Sequence, residues 1–178
     1  MKPDASALRR RVEAYILRHR LLGEGDRVLV AVSGGLDSMA LLTILQSIGY
    51  PLTVAHFDHQ TRNGESARDA RAVAAYCEKN GLPYIVDTAP VAKRARAEGQ
   101  SFEETARALR YAFLRKAAEG TASTVIATAH HQGDQAETLL MRFLAGTSGR
   151  GLAGIPPSRR EGGYRLIRPL LECTKNEL

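Results

Sequence analysis

Four times along the chain a short, unbroken apolar run is followed by a stretch whose apolar residues recur every three or four positions. The runs are VLVAV (28–32), LTVAHF (52–57), PYIVD (83–87) and TVIATA (124–129). The stretches that follow predict helices over Met39 to Ile48, ended near Gly49, then about Glu65 to Asn80, Phe102 to Glu119 and Asp134 to Leu144. A strand covered on both faces needs apolar side chains at every position, so this alternation predicts an α/β fold. Its form is a doubly wound, mostly parallel sheet with helices on both faces. Ahead of it, Leu8, Val12, Tyr15 and Ile16 recur at helical spacing after Asp4 or Ser6, which predicts an amphipathic helix over 6–20. The expected plan is an N-terminal helix in residues 1–22 and one domain over 23–178.

The alternation breaks at Gly146. From there to Gly163 the chain holds six glycines and two adjacent prolines, which predicts a loop, and at about 18 residues it is long enough to suspect function. RLIRPLL (165–171) is apolar again, and KNEL ends the sequence where another helix could start. The expectation is either an abrupt natural end or a truncation before further domains.

With 178 residues, 44% hydrophobic and 25% charged, the chain can fill one core, which excludes general disorder. No run reaches the roughly 18 apolar residues of a membrane span, and the charged N-terminus lacks a secretory stretch, so a cytoplasmic protein without a membrane partner is expected. Only Cys77 and Cys173 are present, so no C-x-x-C pair exists to hold zinc or an iron–sulfur cluster. The net charge of +6 is uneven: residues 1–20 hold six basic and two acidic side chains, and Arg142 to Lys175 seven and two. Such stretches are either solvated faces or contacts for a polyanion such as RNA.

Ligands of such sheets bind beyond the carboxyl ends of the strands, which directs attention to Ser33–Ser38, His56–Arg62 and His130–Asp134. S-G-G-L-D-S lies between the first strand and its helix. Its glycines let backbone N–H groups close around phosphate oxygens at a positive helix N-terminus, making Ser33, Gly34, Gly35, Leu36, Asp37 and Ser38 candidate ATP-binding residues. The alternative is an ordinary turn. Neither G-x-G-x-x-G nor G-x-x-x-x-G-K-[ST] occurs there. In place of a phosphate-binding lysine the turn carries Asp37, whose carboxylate would repel phosphates unless a cation lay between, so Asp37 is the candidate ligand of Mg²⁺. Asp37 as a plain helix cap is the other reading.

The strand, SGGLDS and helix resemble the pyrophosphate-binding (PP) loop of the N-type ATP pyrophosphatases. H-F-D-H-Q-T-R (56–62), E-E-T-A-R-A-L-R-Y (103–111), A-T-A-H-H-Q-G-D-Q-A-E-T-L-L-M-R (127–142) and I-R-P-L-L (167–171) extend the resemblance, over about 25–178, to the tRNA(Ile)-lysidine synthetase family. Thr61 departs from that family's usual leucine, while Asp58, His59 and Arg62 match. The resemblance implies a ligase using ATP and Mg²⁺: the C2 carbonyl of the wobble cytidine of a tRNA(Ile) with a CAU anticodon is adenylated, L-lysine displaces AMP, and pyrophosphate is the other product. It also implies that Arg107 and Arg110 face ATP or RNA, with a surface ion pair to Glu103 or Glu104 as the alternative, and that Arg150 in Gly146–Leu152 contacts the tRNA. Family members generally carry C-terminal domains that help grip tRNA, so weak tRNA binding is expected of this chain.

Read from their own chemistry, His130, Asp134 and Glu137 fall at i, i+4 and i+7 if the fourth helix begins early. One face would then hold all three as candidate catalytic residues, alongside Asp37, able to bind and deprotonate a lysine ammonium. A capping Asp134 with a solvated Glu137 is the alternative, and which of His130 and His131 turns inward is open. The H-x-x-H of His56 and His59 raises zinc, with magnesium favoured. Two other functions stay open: a 2-thiocytidine-forming relative, which calls for cysteine pairs, and a non-catalytic nucleotide sensor. The oligomeric state, a homodimer included, is not fixed by the sequence.

Overall fold

The computed structural model describes residues 5–60, 65–146 and 153–178. In chain order the elements are α1 (Ala5–Arg18), β1 (Val28–Ala31), α2 (Leu36–Ile48), β2 (Leu52–Asp58), α3 (Glu65–Asn80), β3 (Tyr84–Thr88), α4 (Val91–Glu98), α5 (Phe102–Gly120), β4 (Val125–Ala127), α6 (Gln132–Leu144), β5 (Ser158–Glu161) and β6 (Tyr164–Ile167), with a final 3₁₀ turn at Lys175–Glu177. No described helix is long and apolar enough to cross a membrane.

The strands form one sheet in the order β3-β2-β1-β4-β6-β5. All neighbours are parallel except the edge hairpin β5–β6. This is the expected α/β architecture with two additions. The interval Gly146–Gly163, expected to be loop throughout, contains β5: its sequence SRRE has no apolar face to announce a strand, and the antiparallel pairing to β6 supplies the order. α4 is likewise unannounced, an eight-residue basic helix anchored by buried Val91 and Ala95 and ended at Gly99, whose φ of +65° lies in the left-handed region.

The inner strands β1, β2, β4 and β6 each feed two cores, whereas β3 and β5 lie at the sheet edges. Val28, Val30, Val32, Val54, Val125, Ala127 and Ile167 point to one face, where α1 and α2 cover them together with Val73 and Cys77 of α3. Leu29, Ala55, Phe57, Ile126 and Leu166 point to the other, against Phe113, Leu114 and Ala117 of α5. This two-sided burial is the reason the inner strands are apolar along most of their length. α1 shares the first core through Val12, Tyr15 and Ile16. Arg11 and Arg18 also tie it to Glu177 and Glu172.

The chain reverses its lateral direction at β1. β2 and β3 lie to one side of it and β4, β6 and β5 to the other. The segments leaving the carboxyl ends of β1 and β4 therefore diverge and leave a crevice between them, the place where open α/β sheets bind ligands.

Candidate functional site

One wall of the crevice is the turn after β1. Gly34 has φ +91°, and a Cβ there would lie 2.8 Å from the Asp69 Cβ and 3.4 Å from its Cα on α3, so both conformation and space require glycine. Ser38, buried, accepts from the Ser33 amide at 3.1 Å and donates to the Gly35 carbonyl at 2.9 Å, and Ser33 Oγ accepts from the Gly35 amide at 3.3 Å. The first ladder bond of α2 runs from the Met39 amide to the Gly35 carbonyl. The amides of Leu36, Asp37 and Ser38 thus precede the ladder at the positive end of the helix dipole. Leu36 contributes backbone only, since its side chain is 64% exposed.

Asp37 carries a second signal. Its Oδ1 is buried with no hydrogen-bond partner, and its Oδ2 lies 3.7 Å from His131 Nε2. A buried carboxylate oxygen without a donor is costly and suits a hard cation. No group of three or more His, Cys, Asp or Glu able to hold a metal exists among the described residues. A cation here would therefore draw its other ligands from phosphate oxygens and water, which is the habit of Mg²⁺ and not of zinc. His56 is engaged elsewhere: its Nδ1 donates to the Val32 carbonyl at 2.8 Å.

The facing wall follows β4. α6 begins at Gln132, later than the shared face of His130, Asp134 and Glu137 requires, because His131 caps it. The His131 side chain accepts from the Gly133 amide at 2.9 Å and Asp134 Oδ2 accepts from the His131 amide at 2.8 Å, a reciprocal capping box. With Nδ1 accepting, the neutral ring carries its proton on Nε2, which lies 3.6 Å from Asp134 Oδ2 as well as 3.7 Å from Asp37. His131, absent from the sequence-derived candidates proper, is thus the side chain joining the two walls. Its signal was its place one residue before a Q-G-D helix start. Gly133 leaves it room, since a Cβ there would lie 2.6 Å from His131 Cε1.

His130 precedes α6 and is not on the helical face with Asp134. Its Nδ1 is 3.0 Å from Thr128 Oγ1, which itself donates to the Ile167 carbonyl, so the tautomer that fits has the proton on Nδ1. Burial first, then Arg168, hold its pKa down to about 4 against a weaker upward pull from Asp134. It is a neutral hydrogen-bonding group at pH 7. His59 is also shifted downward, by burial and then by Arg110.

Between the walls is a cleft of about 310 Å³. Ser33, Gly35, Asp37, Ser38, His130, His131, Asp134 and Arg110 line it, with Ala31, Ala55, Phe57, Phe113 and Leu114 supplying an apolar side. Glu137, one turn along α6, and Arg107 are exposed and outside this lining. Arg107 and Arg110 make no ion pair with Glu103 or Glu104; both guanidinium groups approach Tyr111 instead. Thr61, Arg62 and Arg150 lie outside the described residues.

The PP-loop domain family matches residues 6–178. A tRNA(Ile)-lysidine synthase of Symbiobacterium thermophilum is 43% identical over 172 residues, 94% of this chain and 36% of that protein. A bifunctional protein TilS/HprT of Listeria monocytogenes is 39% identical over 173 residues, 95% of this chain and 26% of that protein. The chain therefore spans about a quarter to a third of the length of these curated relatives. Among solved structures, the U34-tRNA thiolase NcsA of Methanococcus maripaludis superposes with a TM-score of 0.76 at 18% identity, covering 97% of this chain and 60% of that one. That likeness concerns the fold alone.

Proposed function

Because the chain belongs to the PP-loop domain family, we propose that it is the nucleotide-activating part of a tRNA(Ile)-lysidine synthetase. ATP adenylates the C2 carbonyl oxygen of the wobble cytidine in a tRNA(Ile) with a CAU anticodon, and L-lysine then displaces AMP. The observation that carries the reading is the unpartnered Asp37 oxygen at the phosphate turn, faced across the cleft by His131 and Asp134.

In the first step the cytidine O2 attacks the α-phosphorus and the bond to pyrophosphate breaks. The amides at the start of α2 hold the leaving phosphates, and the apolar side of the cleft accepts the flat adenine and excludes water. Asp37 is the residue to hold Mg²⁺, which when bound neutralises phosphate charge. In the second step the lysine side-chain amine attacks C2 and AMP leaves with the O2 atom. The amine must first lose a proton, since only its neutral form is a nucleophile. Asp134, which lines the cleft, with exposed Glu137 one turn further along α6, binds the ammonium and takes that proton. His131 keeps Asp134 and Asp37 apart by presenting one N–H between them. His130, uncharged, offers an acceptor without adding a positive charge that would compete with the ammonium.

The thiolation alternative is disfavoured by the cysteines. Cys77 sits buried in α3 and Cys173 buried beyond β6, so the chain offers no paired thiolates.

The test is ATP turnover with and without lysine and unmodified tRNA(Ile), at low salt and high tRNA concentration. AMP and pyrophosphate formed only with tRNA, and lysidine formed only with lysine as well, is the expected result. Release of ADP and phosphate would overturn the adenylation chemistry.

A further inference from the structure

Tyr111 is the hub of a cationic cluster assembled from distant parts of the chain. Its ring, 8% exposed, has the guanidinium carbons of Arg107, Arg110 and Arg159 at 5.3, 5.8 and 5.6 Å from its centroid. Arg168, 3% exposed just beyond β6, joins them: burial lowers its pKa, and Arg159 and Arg107 press it down further. Against these four cations the described residues set one carboxylate, Glu161, which is bonded to Arg159 and lies 3.9 Å from Arg115. Among the described residues no carboxylate lies within ion-pair distance of Arg107, Arg110 or Arg168.

The cluster is also short of acceptors. Arg168 Nη1 donates to the Pro156 carbonyl at 2.7 Å, but the Nε atoms of Arg168 and Arg159 are both buried without a partner. A strut for the Pro156 segment would need only the first of these bonds. Guanidinium groups that repel one another and lack acceptors, Arg168 buried and Arg110 and Arg159 half-buried, are relieved by one kind of ligand, an anion with several oxygens. The cluster opens onto the cleft through Arg110 and Tyr111, beside His130. It lies on the α5 and β6 side, whereas the phosphate turn lies at the start of α2, and exposed Arg107 continues it outward to the surface.

We propose that Arg110, Arg159 and Arg168, grouped round Tyr111, form a second phosphate subsite of the cleft, separate from Ser33–Ser38. It takes a phosphodiester of the RNA strand that carries the reacting base. RNA is favoured over the nucleotide because the turn already serves the nucleotide's phosphates and because the arginines run out of the cleft to the surface, the path of an extended polyanion. The inference rests on the proposed RNA substrate and adds the residues that grip it.

Fluorescence anisotropy with a labelled RNA hairpin bearing a CAU loop tests it, in parallel with binding of a non-hydrolysable ATP analogue and Mg²⁺. Arg159→Gln and Arg168→Gln should each weaken RNA binding about tenfold and reduce its salt slope by about one, with analogue affinity within twofold of wild type. Arg168→Lys should restore part of the RNA affinity. Loss of analogue affinity with RNA binding intact would overturn the RNA assignment and give the subsite to the nucleotide. Unchanged binding of both ligands would overturn the subsite itself. Should Arg168→Gln fail to fold, Arg159→Gln, on the edge strand, decides alone. A wild-type protein that shows the arginine-dependent RNA binding yet makes no AMP and pyrophosphate would sink the proposed function and leave the subsite standing.

Discussion

His131 Nε2 lies 3.7 Å from Asp37 Oδ2, so the cap of α6 touches the carboxylate that opens α2. The contact depends on a missing methyl group. Gly133→Ala would place a Cβ 2.6 Å from His131 Cε1 and swing the ring away. Since alanine is favoured over glycine in a helix by about 1 kcal/mol, the fold should survive with little change in Tm. Turnover should fall at least tenfold, because displacement of a positioning group by about 1 Å can cost 10²-fold. Pyrophosphate release measured beside a thermal melt checks this, and an unchanged rate would remove His131 from the site.

Asp37→Ala should abolish turnover, yet it should not abolish nucleotide binding. Removing a carboxylate beside phosphates lowers repulsion when no divalent cation is present. Calorimetry with an ATP analogue should show affinity without Mg²⁺ equal to or above wild type, and loss of the Mg²⁺-dependent gain. A variant that still gained affinity with Mg²⁺ would place the metal elsewhere.

Ser38→Ala removes a buried hydroxyl that bonds the Ser33 amide and the Gly35 carbonyl. Leaving the Ser33 amide unpaired and the Gly35 carbonyl with the Met39 amide alone should cost about 1–3 kcal/mol, read by urea denaturation. The loosened turn should also weaken the ATP analogue.

His130 makes stability depend on pH. Its folded pKa of about 4 lies below the ordinary value near 6.5, so between these values the unfolded chain binds the extra proton. Stability from this group is fully present above about pH 6.5 and is lost as pH falls toward 4. The loss should be on the order of 3 kcal/mol, and between about pH 6.5 and 4 stability measured by denaturation should fall less steeply for His130→Gln than for wild type if the histidine is its source.

What the sequence discloses, it discloses through periodicity. The inner strands β1, β2 and β4 are mostly apolar because each feeds two cores, while β3, exposed at the sheet edge, is read from its YIV run, and the turn proposed to hold phosphate is recognisable because Gly34 and Gly35 stand between strand and helix. β5 is hidden because SRRE gains its order from one antiparallel neighbour. His131 escaped because a histidine seldom caps a helix and its neighbour His130 is the same residue type. Arg159 meets Tyr111 from nearly fifty residues away, a convergence that spacing along a helix cannot express.

The placing of β1 beside β4 governs when this protein can begin to work. Their pairing joins residues about a hundred positions apart, Val28 to Val125, and only that pairing carries His131 to Asp37. A chain emerging from the ribosome with β1, β2 and β3 already assembled would own the Ser33–Ser38 turn with nothing opposite it. Any reaction that needs both walls of the cleft is thereby barred by geometry until the second half of the sheet has arrived.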